Sequence, residues 1–364
     1  MHEASKNLYP VPPFNKRRRL TQALAALPFT LPIAGLTACG GDDREDASNL
    51  TPTVTDRRVA LSTGVTLHVR DWNAANARRV VVLLGGHGEN AQYFNGMAAE
   101  LARRARVIAV SRRGYGQSEK LMPSTVQRYD PDTLVRDLES LLSRLGVGSA
   151  VLCGHSIAVN ELTLFAGRYP KLVRGIVYMD TPFDYTRKNR LEDEVAPSDP
   201  ALMTPPPQPS DGASFAAAVA YAKRIRKVWT PATEANLRDS LHVLPDGRVR
   251  PSTPEAVDKS MLSEALSFSP DYAAVKAPSL ILAASPTSPR DLFPWLIEPI
   301  SSQIRQEVET LLHYSRRRRS RTLEWFKAAL PDSQQKIIAN SSHADFFIEH
   351  QAEVVRAIES TGWY

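Results

Sequence analysis

From about residue 57 onward the apolar positions follow two rhythms. Val59 to Leu61 and Val65 to Trp72 flank Ser62-Thr63-Gly64 and predict a hairpin. Four short apolar runs rich in β-branched residues follow, at Val80 to Leu84, Val107 to Val110, Ala150 to Cys153 and Gly175 to Met179. Between them, helical periodicity marks Tyr93 to Arg103, Pro131 to Leu145 and Ile157 to Arg168. Apolar runs without alternation, separated by helices, predict parallel strands covered on both faces. The rhythm stops from about Phe183 to Asp271, where Pro205-Pro206-Pro207 and several helical patterns appear. One helix through Phe215, Val219, Ala222, Ile225 and Trp229 carries an apolar stripe, with Lys223, Arg224, Arg226 and Lys227 largely off it. Thr230-Pro231 and Thr253-Pro254 each predict an N-cap followed by proline at the first helical position. Ser279 to Ala284 and Gln335 to Ala339 resume the strands, and Ala352 to Ser360 closes the chain as a helix. The expectation is one α/β domain over 57–364, with a mostly parallel central sheet, helices on both faces and a helical lid insertion at about 184–272. No internal repeat is visible.

The run ending at Cys153 leads into Gly154-His155-Ser156-Ile157-Ala158 and straight into a helix. A serine between a strand and a helix, with small residues two positions before and after, is the pattern of a nucleophile elbow, where the chain doubles back and lifts the hydroxyl above the sheet. Here alanine takes the place of the second glycine, and the helix N-terminus favours developing negative charge. With this elbow, residues 57–364 resemble the α/β-hydrolase superfamily. The stretch Ser111-Arg112-Arg113-Gly114-Tyr115-Gly116-Gln117-Ser118 is similar to a superfamily loop that commonly begins with aspartate, and its glycines and arginines are expected to shape a turn. Leu84-Gly85-Gly86-His87-Gly88 resembles the oxyanion loop, with Gly85 where histidine is usual. By that register the resemblance implies the backbone N–H groups of His87 and Ile157 as oxyanion donors.

Near the chain end, Asn340-Ser341-Ser342-His343 follows the last strand and resembles the superfamily's histidine loop, making His343 the expected general base. His155, His313 and His350 are poorer candidates: one sits inside the elbow and two lie on helical faces. Two acids remain open as the group that orients the imidazole. Asp180 directly ends the Gly175 to Met179 strand, at a position some superfamily members use. Asp291 is the first acid after Ala284-Ser285-Pro286-Thr287, the more familiar loop. Asp180 is preferred because its strand delivers it to the carboxyl edge of the sheet. The resemblance implies a serine hydrolase that cleaves an ester-like acyl bond of a small-molecule substrate. Ser156 argues against the superfamily's epoxide hydrolase and haloalkane dehalogenase branches, which use aspartate. Acyl transfer by the same residues and a non-catalytic surface binding protein on this fold are the competing functions.

Charge and cysteines refine this picture. The formal charge of +6 comes from 45 Lys and Arg against 39 Asp and Glu; residues 1–38 hold five of the former and one of the latter, so the rest carries +2. Such a balance gives no reason to expect a nucleic-acid partner. No pair of His and Cys has ligand spacing, so neither a metal nor a cofactor is expected. The run Arg316 to Arg319 with Arg321 is expected to be a solvated helical face. Residues 1–38 have the layout of an export signal: a basic cluster at Lys16 to Arg19, then an apolar run broken by Pro28 and Pro32. Leu36-Thr37-Ala38-Cys39 resembles the lipobox of bacterial lipoproteins, which implies lipid on Cys39, membrane attachment through it, and a linker over 39–56. The same resemblance implies the periplasmic face of the cell envelope, with Gly40 favouring the outer membrane. Cys153 is placed at the end of a core strand, with no disulfide.

Overall fold

The computed structural model describes residues 52–73, 78–180, 184–188 and 196–364. The export signal and Cys39 lie outside the described residues. The strands are β1 (Val54–Ala60), β2 (Thr66–Trp72), β3 (Val80–Leu84), β4 (Arg106–Ser111), β5 (Ala150–His155), β6 (Val173–Met179), β7 (Leu241–Val243), β8 (Val249–Pro251), β9 (Ser279–Ser285) and β10 (Gln334–Ala339). Eight of them form one sheet in the order β1-β2-β4-β3-β5-β6-β9-β10. Strand β2 pairs antiparallel with β1 and β4, and every other neighbouring pair is parallel. The sheet begins at Val54, three residues before the expected domain start at 57, because β1 pairs with β2 along its full length.

The helices are α1 (Asn95–Leu101), α2 (Pro131–Arg144), α3 (Ala158–Arg168), α4 (Tyr185–Lys188), α5 (Phe215–Ile225), α6 (Pro231–Asp239), α7 (Glu255–Ser267), α8 (Pro289–Leu292), α9 (Ser302–Ala329), α10 (Phe346–Glu349) and α11 (Gln351–Glu359). The apolar runs are buried on both sides, as the absence of alternation requires. On one face Val82, Leu152, Ile176 and Ile281 pack with Leu138 of α2, Phe165 of α3 and Phe326 of α9. On the other, Val81, Val151, Val177 and Leu282 meet Met97 and Leu101 of α1, Phe346 of α10 and Ile358 of α11. Each such large side chain contributes about 1.5–3 kcal/mol on burial. Cys153 is a buried free thiol within the second core. Among the described residues, no helix is long and apolar enough to cross a membrane.

Between β6 and β9 lie α4 to α7, as the helical insertion predicts, together with an antiparallel hairpin of β7 and β8. Its turn is Pro245-Asp246-Gly247, with Gly247 at φ +83, a conformation glycine adopts without penalty. Thr230 caps α6 as expected, accepting from the N–H of Thr233, and Pro231 occupies the first turn. Thr253-Pro254 differs from expectation. Helix α7 begins at Glu255, and the Thr253 hydroxyl donates to the Gly114 carbonyl, which takes it away from the cap.

Gly175 shows how tightly the C-terminus closes the sheet, since a Cβ there would overlap the Trp363 indole. Gly175→Ala should therefore lose about 1–3 kcal/mol of stability by urea unfolding. The same change in a Trp363→Ala background should cost about half a kcal/mol or less. An equal loss in both backgrounds would refute the overlap as its cause.

Candidate active site

Of the four non-glycine residues with left-handed backbone among the described residues, Asn73 (φ +54) follows the antiparallel β2, and the other three stand at the carboxyl ends of parallel strands: Ser156 (φ +53) after β5, Asp180 (φ +44) after β6 and Asn340 (φ +55) after β10. Such conformations cost about 1–3 kcal/mol each and concentrate where a site needs an abrupt change of chain direction. At the first, α3 begins two residues after Ser156, and a Cβ on Gly154 would lie 2.5 Å from Leu162 Cδ1 and 3.1 Å from the Ala158 Cβ. The elbow therefore has room for a methyl group at 158 and none at 154.

The structure brings Ser156, His343 and Asp180 together. The His343 Nε2 is 3.0 Å from Ser156 Oγ, and its Nδ1 is 2.7 Å from Asp180 Oδ2. A carboxylate only accepts, so Nδ1 carries the proton and Nε2 accepts from the serine hydroxyl. Asp180 is fully buried; its Oδ1 accepts from the Ala284 N–H at 2.7 Å and from Arg319 Nη2 at 2.6 Å. Burial alone would raise its carboxyl, but Arg319 and His343 outweigh burial and hold it at about 2. Asp291 is elsewhere. It takes the N–H groups of Thr287 and Ser288 at the start of α8 and pairs with Lys227.

The glycine loop after β3 approaches the elbow so closely that a Cβ on Gly86 would sit 2.9 Å from Ser156 Cβ. Arg112 holds this loop by donating to the Gly85 and Gly86 carbonyls, at 2.5 and 2.7 Å. In a trans peptide the C=O and the next N–H point in opposite directions, so the His87 N–H faces away from Arg112. Ile157 follows the serine and precedes the first residue of α3. The His87 side chain pairs with Asp258 of α7 at 2.9 Å, a link between this loop and the insertion.

Several contributors escaped the sequence. His155 Nδ1 meets the Glu89 carboxylate at 2.8 Å, and its Nε2 meets the His343 carbonyl at 2.9 Å. Both partners are acceptors, so the ring carries two protons. Burial would lower the proton affinity of His155 and raise that of Glu89, yet each outweighs burial at the other, raising the histidine and lowering the acid. Glu89 also accepts from the Gly86 N–H at 2.5 Å, so one buried ion pair joins the glycine loop, the elbow and the histidine loop. Tyr185 of α4 places its hydroxyl 3.4 Å from Ser156 Oγ.

Several basic residues have specific partners. Arg226 donates to Tyr93 and Asp345 at 2.8 Å, and Lys227 donates to the Asn340 carbonyl and pairs with Glu349, so both fasten the insertion to the histidine loop. Arg316 and Arg317 are exposed as the solvated face predicts, but Arg319 turns inward to Asp180 because a buried carboxylate attracts a second cation. Among the described residues, no three His, Cys, Asp or Glu side chains converge to hold a metal ion.

A family model for the alpha/beta hydrolase fold matches residues 79–203. The 2-(acetamidomethylene)succinate hydrolase of Mesorhizobium japonicum is 33% identical over 128 residues, which are 35% of this chain and 43% of that protein. The bifunctional epoxide hydrolase 2 of Sus scrofa is 30% identical over 148 residues, 40% of this chain and 25% of that protein. The chain thus spans less than half the length of these curated relatives. Among solved structures, an E-2-(acetamidomethylene)succinate hydrolase superposes with TM-score 0.58 at 20% identity, covering 85% of this chain and 98% of that one. The thioesterase domain from the curacin biosynthetic pathway gives TM-score 0.58 at 15% identity, covering 84% and 99%. The parallel sheet with its antiparallel edge, the helices on both faces and these neighbours agree: the chain has the α/β-hydrolase fold.

Proposed function

We propose that the protein is a serine hydrolase that cleaves an ester-like acyl bond of a small molecule through an acyl-enzyme on Ser156. The observation that carries this reading is the unbroken chain from Ser156 Oγ through both ring nitrogens of His343 to Asp180, with links of 3.0 and 2.7 Å. The relatives named hydrolase support hydrolysis alone, and the serine at the elbow sets the chain apart from the epoxide hydrolase among them, whose branch attacks with aspartate.

In this reading Ser156 Oγ attacks the acyl carbon as His343 Nε2 takes its proton, and Asp180 stabilises the imidazolium. The carbonyl oxygen becomes an oxyanion and accepts from the N–H groups of His87 and Ile157, each about 2.7–4 kcal/mol of barrier. His343 then donates its proton to the leaving group, and a water repeats the sequence to release the acid. The N-terminus of α3 and the Arg112 guanidinium behind the glycine loop add positive potential on the oxyanion side. The same reading includes export and lipid attachment at Cys39, on the outer membrane facing the periplasm, supported by the Leu36 to Gly40 sequence.

Ser156→Ala should lose at least three orders of magnitude in turnover of a chromogenic ester with its unfolding transition unchanged. A substantial residual rate in the folded variant would refute the acyl-enzyme. Asp180→Asn should slow single-turnover acylation by orders of magnitude, while Asp291→Asn, at a cap beside Lys227, should be mild. Near-normal acylation in the first with collapse in the second would reverse the assignment of the acid. Mass spectrometry of membrane-extracted protein should find a chain beginning at residue 39 with added acyl mass, and an intact Met1 would exclude the lipid.

A further inference from the structure

Asp180 poses a problem that the other proposed catalytic groups do not share. Its carboxylate is fully buried and charged, whereas in the proposed mechanism its partner His343 gains a compensating positive charge only when it takes the serine proton. A buried anion whose only partner is a part-time cation is uncompensated for most of the catalytic cycle. The long helix α9, inserted between β9 and β10, supplies a permanent one. Arg319 Nη2 lies 2.6 Å from Asp180 Oδ1, with the Arg319 side chain 21% exposed, and the Ala284 N–H fills the same oxygen at 2.7 Å.

We propose that Arg319 is the positioning residue of the catalytic acid: it fixes Oδ1 of Asp180 so that Oδ2 faces His343, and it offsets part of the carboxylate charge. The proposal rests on the serine-hydrolase reading above. A carboxylate shared with a guanidinium orients the imidazole as well as a lone one does, but attracts its second proton less. The base therefore stays free to accept the serine proton in more acidic solution, and the imidazolium, once formed, passes its proton on more readily.

The other charged and titratable groups near Asp180 leave Arg319 as the net cation. His155 approaches from β5, but its charge is balanced by Glu89 at 2.8 Å. Tyr185 approaches from α4, and burial raises its phenol, which stays neutral. His343 itself comes from the loop after β10. Strand β9 contributes a backbone N–H and no charge. Removing the Arg319 charge thus makes the field at the imidazole more negative and favours its protonated form, so the acidic limb of activity must move to higher pH.

The test is the rate of covalent labelling by a fluorophosphonate, measured across pH on the full chain, because it reads Ser156 and His343 without a known substrate. Arg319→Gln keeps a donor for Oδ1 without the charge, and its acidic limb should lie about one pH unit above that of the unaltered protein. Arg319→Lys should leave the limb in place. An Arg319→Gln limb that is unmoved, or shifted to lower pH, overturns the proposal even if the plateau rate falls, since loss of packing alone lowers the plateau without moving the limb. Should Arg319→Gln not fold, Arg319→Met read in the same assay meets the same criterion. Ser156→Ala in parallel separates the two claims. Labelling that survives Ser156→Ala sinks the hydrolase reading itself, whereas labelling lost in Ser156→Ala beside an unmoved Arg319→Gln limb sinks only the role of Arg319.

Discussion

Strands β5, β6 and β10 are each left within one residue at the edge where the parallel strands end. That abrupt departure is made through left-handed backbone at Ser156, Asp180 and Asn340. The reversed turn stands the serine and the aspartate upright above the edge, where a loop from β10 can reach both with one imidazole. Asparagine and aspartate tolerate the left-handed region better than most residues, whereas serine holds it under strain that the surrounding packing of Gly154 against Leu162 maintains.

Around this edge several buried charges are paired. Glu89 with His155, Arg112 with Glu161, and Arg319 with Asp180 all place guanidinium or imidazolium groups against carboxyl groups of the elements that carry or flank the site. Buried pairs of this kind add modestly to net stability when intact and cost heavily when one partner is lost. Their value lies in direction, because each fixes an element that must point one way: the glycine loop through Arg112, the histidine loop through His155, and the acid through Arg319. Glu161 illustrates the tension. Burial pushes its carboxyl up to about 7 despite the nearby Arg112, whose stronger bonds go to the glycine-loop carbonyls.

The sequence makes legible what is local. The elbow declares itself because its requirement for small residues falls on Gly154 and Ala158, two positions either side of the serine. His343 is visible from its place after the last strand, and Asp180 from the register of β6, although Asp291 competes until the structure shows it capping α8. Partnerships across long chain separations are not legible. Arg319 and Asp180 are far apart in the chain, and nothing in a run of four arginines marks the one that turns inward. Glu89 and His155 are equally silent, since a histidine inside the elbow reads as filler until both its nitrogens are seen to meet acceptors. The β7–β8 hairpin carried a usable signal in Pro245-Asp246-Gly247, outweighed by the helical periodicity on either side. Thr253 shows the opposite failure, a sound capping pattern overridden by a tertiary acceptor on Gly114.

The insertion is fastened at Arg226 and Lys227 to Asp345, Glu349 and the Asn340 carbonyl, groups that flank the proposed base on both sides. The insertion and the loop that carries His343 are consequently joined through charge. Any displacement of the insertion that breaks those contacts strips two cations from the loop carrying His343 and leaves its carboxylates to find water instead. The Arg226 and Lys227 side chains are 28% and 18% exposed, close to the 21% of Arg319, and the carboxylates of Asp345 and Asp180 are both buried. Dissolved salt therefore screens the fastening of the insertion and the Arg319–Asp180 pair to a similar degree.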